Sequence, residues 1–378
     1  MIEYIGLNAI TKLQKILEEN SFKKIFLLTG KSSFERSFYK KIIFNSLNNF
    51  EFFHFNDFTP NPKINDIKKG LALFNKENYD VIIAIGGGSV IDMGKCVSIL
   101  STNQAPLEDF LFKKEEIKNR GIPLIRIPTT AGSGSEATHF AVVYMDKTKY
   151  SLLHSKYLQP EYVIVDPQTT YTVPKIISAS TGMDALSQAI ESFWNINSTI
   201  ESKSYSKKAI KLIMKNLLDV VNEPNKKSRY NMAIAANYAG KAINITKTTA
   251  CHSISYPISS YFNVLHGHAV ALTLSSMIVF NSDISEEDNL DSRGVYYVKE
   301  TMNELISVIG ASDFLEAKKI INNLMLDIGL ETKLKDLGIK SQEDIDLIVK
   351  NGFNPDRVIN NPRKLNEINL RKILEEIK

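Results

Sequence analysis

Hydrophobic and polar positions follow two different rhythms in this chain. Over the first half, short apolar runs end at glycine or proline. Residues 24–29 run into Gly30 and residues 80–85 into Gly86, with the strand proper at 81–85; residues 123–128 and 162–166 are two more such runs. Apolar runs of this length, bounded by turn formers, predict buried strands. Residues 64–74 and 89–100 lie between them and carry apolar positions at helical spacing. Strands alternating with helices predict βαβ units and a mostly parallel sheet.

The rhythm changes after Pro174. Strand-like runs become scarce, and amphipathic stretches over 178–194, 202–221, 229–244, 298–308, 314–328 and 365–377 predict helices. The boundary falls near Thr172-Val173-Pro174. It separates an α/β domain over residues 1–173 from an all-α domain over residues 174–378.

Composition narrows the class without choosing a chemistry. A chain of 378 residues with 43% hydrophobic and 23% charged side chains suits two ordinary domains. A net charge of +4 from 46 basic and 42 acidic residues gives no case for a nucleic-acid partner. No apolar stretch reaches the roughly 18–20 residues a membrane helix needs. The opening Met1-Ile2-Glu3-Tyr4 lacks the basic and apolar regions of a signal peptide. A cytoplasmic protein is the expectation, with Cys96 and Cys251 as reduced thiols rather than a disulfide.

Three loops hold candidate cofactor chemistry. The second strand passes through Gly86-Gly87-Gly88 into a helix that starts near Ser89 and carries Asp92. Glycines allow a diphosphate to approach the backbone, and the N–H groups of the following helix hold the anion. A plain tight turn is the competing reading, since this is neither a G-x-G-x-x-G nor a Walker A sequence. Thr129-Thr130-Ala131-Gly132-Ser133 follows another strand, and its small hydroxyl side chains suit a carboxamide or ribose. A flexible connector is the alternative. At the first strand end, Gly30-Lys31-Ser32-Ser33 offers a cation and donors and no carboxylate. That set suits a 2′-phosphate and favours NADPH over NADH, against the alternative of a solvated turn.

The second half supplies metal-ligand types. Asp184 and Gln188 stand four apart and share a helix face, while His252 and His266 come from later elements. One carboxylate and two imidazoles suit a catalytic divalent cation with an open position. Scattered histidines are also commonly structural, so spacing alone leaves both readings open.

The motifs together carry more than each does alone. Gly86 to Asp92, Ile127 to Glu136, Asp166-Pro167, Gly182-Met183-Asp184, His266-Gly267 and Asn361-Pro362-Arg363 occur in the order found in iron-containing (group III) alcohol dehydrogenases, which this sequence resembles over nearly its whole length. The resemblance implies an N-terminal dinucleotide-binding α/β domain, a helical C-terminal domain with the site between them, and a homodimer. Carried over by position, the metal ligands are Asp184, Gln188, His252 and His266, for Fe2+ or Zn2+. Gln188 is a departure, because the family usually has histidine there, and a neutral amide oxygen is the poorer ligand. Tyr256 is another, standing where many members place a proton-relay histidine. A phenol with an ordinary pKa of about 10 relays protons slowly at neutral pH, and His268 is the nearby substitute.

Substrate clues are fewer. If residues 241–252 form one helix, Lys241, Asn244, Thr248 and His252 share a stripe that would bring cationic and hydroxyl groups towards an anionic substrate. Lysines on a solvated helix face are the alternative. This run, with His266-Gly267-His268, resembles the phosphonoacetaldehyde reductase (hydroxyethylphosphonate dehydrogenase) branch. The expectation is hydride transfer from NADPH to a small aldehyde, phosphonoacetaldehyde giving 2-hydroxyethylphosphonate. Other readings are a glycerol, lactaldehyde or simple alcohol dehydrogenase, a dehydroquinate-synthase-like enzyme, and a non-catalytic nucleotide-binding relative.

Overall fold

In the computed structural model, which describes residues 2–378, the chain divides into two compact units, Met1–Val173 and Pro174–Lys378. The first is built on strands β1 (Ile2–Ile5), β2 (Lys24–Thr29), β3 (Glu51–Phe55), β4 (Val81–Gly86), β5 (Leu124–Pro128), β6 (Phe140–Met145), β7 (Thr148–Leu153) and β8 (Tyr162–Val165). Six of them form a sheet in the order β1-β8-β5-β4-β2-β3, and every pairing in it is parallel. The four apolar runs of the sequence are its four inner strands. Helices α1 (Lys12–Glu19), α2 (Lys31–Glu35), α3 (Tyr39–Ser46), α4 (Ile64–Phe74), α5 (Gly88–Leu100) and α6 (Leu107–Leu111) complete the unit.

Burial on both faces explains why those strands read as largely apolar runs, with the buried Arg126 of β5 as an exception that donates to the Thr138 and Leu158 carbonyls. Val81, Ile83 and Ile85 of β4 belong to a core with Ile25, Leu27, Ile125 and Ile127. Ile82 and Ala84 point the other way, into a core with Phe26, Leu28, Met93 and Val97. The edge strands β1 and β3 leave Ile2, Ile5, Phe52 and Phe53 exposed, so they lack that signature.

An antiparallel hairpin, β6–β7, lies outside the main sheet. It is fixed by a fully buried cation. Lys95 on α5 donates to Asp92 Oδ1 at 3.2 Å, Ser135 Oγ at 2.8 Å, Thr138 Oγ1 at 2.9 Å and the Phe140 carbonyl at 2.6 Å. Asp92 also accepts from the Val142 N–H at 2.9 Å.

The second unit has no β-strand among its described residues. It contains α7 (Lys175–Trp194), α8 (Ile200–Asn222), α9 (Lys226–Thr246), α10 (Ala250–Phe262), α11 (His266–Ser282), α12 (Val295–Ile309), α13 (Phe314–Asp327), α14 (Gln342–Asn351), α15 (Pro355–Val358) and α16 (Glu367–Glu376). Capping boxes at Thr199/Ser202 and Asn225/Ser228 fix the starts of α8 and α9.

Residues 241–252 are not one helix: α9 ends at Thr246, Lys247 takes φ +63°, and α10 starts afresh at Ala250. Lys241 and Asn244 therefore belong to one helix and His252 to the next, with Thr248 in the break. The shared stripe does not form.

The cysteines are free and buried, Cys96 on α5 and Cys251 on α10. Burial pushes both thiols well above their ordinary pKa. Among the described residues, no helix is long and apolar enough to cross a membrane.

Candidate nucleotide cradle and metal centre

The three loops singled out in the sequence leave the carboxyl ends of β2, β4 and β5, which are neighbours in the sheet. The chain runs outward from β2 to β3 on one side and from β4 to β5 on the other, so β2 and β4 flank the switch point where open parallel sheets bind ligands. Thr129 N–H donates to the Gly86 carbonyl at 3.0 Å, which ties two of the loops together.

The glycines do different work. A Cβ on Gly86 would overlap the Val90 side chain, and one on Gly88 would lie 2.6 Å from Ser133 Oγ, so both keep α5 and the Thr129–Ser133 loop close. A Cβ on Gly87 would meet only Thr130 Oγ1 at 3.4 Å, an ordinary contact. Gly87 is also the N-cap of α5, and no side chain caps that end, so its first N–H groups can serve an anion.

Other predicted residues are engaged within the protein. Ser89 Oγ accepts from Asn61 N–H at 3.0 Å, and Asp92 is committed to Lys95, Ser135 and Val142. Thr129 is buried, and its N–H is spent on the Gly86 carbonyl. Gly30 is the N-cap of α2, with Lys31 and Ser32 in its first turn. Residues 29–33 contain no carboxylate, yet the fold supplies one. Asp57, just past β3, lies 3.4 Å from Lys31 Nζ and also pairs with Lys69. Hydrogen bonds from Lys69 and then Lys31 hold the Asp57 carboxyl below its ordinary range.

In the helical unit, α7 presents Asp184, Gln188 and Glu191 along one buried stripe. His252 sits in the first turn of α10 and His266 at the first position of α11. Their Nε2 atoms lie 3.4 Å and 4.0 Å from Asp184 Oδ1, and one ligand atom from each residue falls within 4.8 Å of the others. A glycine makes this possible: a Cβ on Gly267 would overlap the Ser180 carbonyl and come within 2.8 Å of Asp184 Cβ. One carboxylate and two imidazoles, largely shielded from water, fit a first-row divalent cation such as Fe2+ or Zn2+. Burial opposes charging the His252 ring, but Glu191 and Asp184 outweigh it and raise its pKa to about 9. A cation there takes the proton's place.

Around this cluster, Tyr256 follows His252 by one turn, and its ring stacks on His266 with centroids 6.5 Å apart. Arg357 of α15, itself buried, donates from Nε to Tyr256 Oη at 3.3 Å. His268 goes elsewhere: its Nε2 hydrogen-bonds the Glu331 carbonyl at 2.7 Å, and the ring is no part of the three-residue cluster. Arg357 and Glu191 escaped the sequence reading. Arg357 lies far along the chain with no spacing to announce it. Glu191, seven residues after Asp184, had a signal as an acid within an apolar helix.

Comparison with known proteins follows the same division. The profile described as iron-containing alcohol dehydrogenase matches residues 3–167, and that of the C-terminal region of the Fe-containing alcohol dehydrogenase family matches residues 178–378. The 1,3-propanediol dehydrogenase of Klebsiella pneumoniae is 31% identical over 325 residues, 85% of this chain and 82% of that protein. The NADPH-dependent butanol dehydrogenase of Clostridium saccharobutylicum is 30% identical over 84% of this chain and 81% of its own. Among solved structures, sulfoacetaldehyde reductase from Bifidobacterium kashiwanohense, in complex with NAD+, superposes with a TM-score of 0.89. It is 29% identical, covering 100% of this chain and 96% of that one.

Proposed function

Because the chain belongs to the iron-containing alcohol dehydrogenase family, whose members are NAD(P)-dependent oxidoreductases acting on CH–OH groups, we propose that it reduces a small aldehyde carrying an anionic head group. Phosphonoacetaldehyde is the leading substrate and NADPH the leading hydride donor. The observation that carries the reaction type is the convergence of His252 and His266 on Asp184 Oδ1. We assign the nucleotide to residues 1–173 and the cation and substrate to residues 174–378, in a cytoplasmic homodimer.

When bound, the nicotinamide supplies a hydride and the divalent cation polarises the carbonyl oxygen as a Lewis acid. Asp184, His252 and His266 would hold that cation, with the Gln188 amide oxygen as a weaker fourth donor. The buried residues around them exclude water and so strengthen every charge interaction within. Tyr256 is the candidate proton donor to the product alkoxide. Its Oη accepts from Arg357 Nε–H, which holds the phenol beside His266.

Two observations support the anionic head group. Arg357 brings a buried guanidinium to Tyr256, which stacks on a candidate ligand, and such a group suits phosphonate, sulfonate or carboxylate oxygens. A relative of known structure is a sulfoacetaldehyde reductase, whose aldehyde is anionic. For the coenzyme, Lys31 and Lys69 set two cations about the single Asp57 carboxylate, a surplus suited to a 2′-phosphate.

The test is an NADPH-oxidation screen with phosphonoacetaldehyde, sulfoacetaldehyde, lactaldehyde and propionaldehyde, run with elemental analysis and sizing chromatography. The expected result is a kcat/KM at least tenfold higher for the anionic aldehydes. Equal or faster turnover of propionaldehyde would sink the head-group assignment, and no NADPH oxidation with any aldehyde would sink the reaction.

A further inference from the structure

The stripe of α7 that bears Asp184 bears a second carboxylate two turns later. Glu191 is completely buried. Its Oε1 accepts from Thr249 Oγ1 at 2.7 Å and from the backbone N–H groups of Thr249, Cys251 and His252 at 3.2, 2.8 and 3.3 Å. Its Oε2 meets His252 Nδ1. One side chain therefore closes the open N–H groups at the start of α10 and grips the imidazole just inside that turn.

These two contacts fix the state of the ring. Four donors converge on Oε1, so this carboxyl oxygen only accepts. The Oε2 contact is met when the Nδ1–H of the ring donates to it, which leaves the other nitrogen to present its lone pair. That nitrogen, Nε2, is the one 3.4 Å from Asp184 Oδ1. A hydrogen bond from the far nitrogen of a ligand imidazole to a carboxylate fixes the ring's orientation and raises its strength as a ligand.

We infer that Glu191 is the positioning residue of the metal centre, orienting His252 and adding a negative charge behind it where Gln188 contributes only a neutral amide. The inference rests on Asp184, His252 and His266 being metal ligands. A helix cap alone would not require the second oxygen to reach the ring. Glu191 uses one oxygen for each task.

Glu191→Gln separates the two tasks without changing volume. An amide that turns its oxygen to the backbone N–H groups turns its NH2 to Nδ1, which drives the ring proton to Nε2 and removes the ligand lone pair. Thr249→Val is the control, since it deletes one donor to Oε1 and leaves the ring contact intact. Full-length wild type and both variants, stripped of metal, are titrated with Zn2+ and Co2+ against a chromophoric chelator, with the visible Co2+ absorption and NADPH binding recorded alongside. For Glu191→Gln the expected result is metal binding about 10–100-fold weaker, an altered Co2+ spectrum and unchanged NADPH affinity. Thr249→Val should bind metal within about twofold of wild type.

Wild-type affinity and spectrum in Glu191→Gln would overturn the inference. So would equal losses in both variants, which would make Glu191 a cap and nothing more. A wild type that binds neither cation would overturn the metal assignment itself, and that failure shows before any variant is made. Nitrogen-15 histidine spectra of the Zn2+-loaded wild type give a reading independent of whether the variants fold. Ligation through Nε2 with a proton on Nδ1 is expected for His252, and the reverse arrangement would refute the inference.

Discussion

Gly267 at the start of α11 lies so close to the carbonyl oxygen of Ser180 on α7 that no Cβ fits between them. This approach brings His266, the residue before it, to Asp184. Gly267→Ala must push α11 off α7. Overpacking of this kind costs about 1–3 kcal/mol, and the displaced imidazole weakens metal binding. Thermal unfolding and chelator competition on the same protein check both effects. A variant that melts and binds Zn2+ as wild type does would show that the helices have slack here.

Asp184→Asn and His266→Ala each remove a proposed ligand from the helical unit and leave the glycine turn untouched. Lewis-acid stabilisation of a developing alkoxide is worth several kcal/mol, so turnover should fall by at least about 100-fold. NADPH binding, followed by its fluorescence, should hold. Substantial activity in both variants would refute the metal reading.

Gly87 is where the proposed diphosphate site is tested most directly. Since an alanine Cβ there makes only ordinary contact with Thr130, Gly87→Ala should fold as wild type does. Gly87→Val, reaching further into the space for a diphosphate, should weaken coenzyme binding about 10–100-fold, as 1–3 kcal/mol of overpacking implies. Equal coenzyme affinity in Gly87→Val and wild type would move the diphosphate elsewhere.

Coenzyme choice can be read at Lys31. A charged hydrogen bond to a 2′-phosphate contributes about 1.5–3 kcal/mol, so Lys31→Ala should raise KM for NADPH about tenfold or more and leave KM for NADH nearly unchanged. A parallel rise for both coenzymes would assign Lys31 to a part they share.

Lys95 gives a pH signature. Burial, opposed by Asp92, lowers its ammonium pKa from 10.5 to about 8. Between about pH 8 and 10.5 the unfolded chain holds this proton more tightly than the native one, so stability rises with pH through this group. Lys95→Met should lose that rise, and it should cost about 3–5 kcal/mol near neutral pH by leaving buried Asp92 without its cation. Urea denaturation at pH 7.5 and 9.5 reads both, and parallel pH dependence in the two proteins would contradict the assignment.

What the sequence disclosed depended on how each feature is held. Strands β2, β4, β5 and β8 were legible because burial on both faces makes them mostly apolar. Edge strands β1 and β3, half exposed, carried no such run, and the hairpin depends on Lys95 reaching forty residues and more along the chain. Asp184, His252 and His266 could be named by type, but only tertiary structure joins them. Lys247, with its positive φ, broke a helix that spacing alone would have continued. Asp57 and Arg357 act through neighbours distant in sequence, so no local pattern marks them, whereas Glu191 stood out only as an acid within an apolar helix.

The two cysteines have a practical consequence. Sealed inside their separate units with thiols pushed up by burial, neither forms the thiolate that maleimides and iodoacetamides attack. A cysteine introduced at an exposed position such as Ser285 or Lys114 would then be the sole reactive group. Dyes could be placed at will in either unit without first removing the natural thiols.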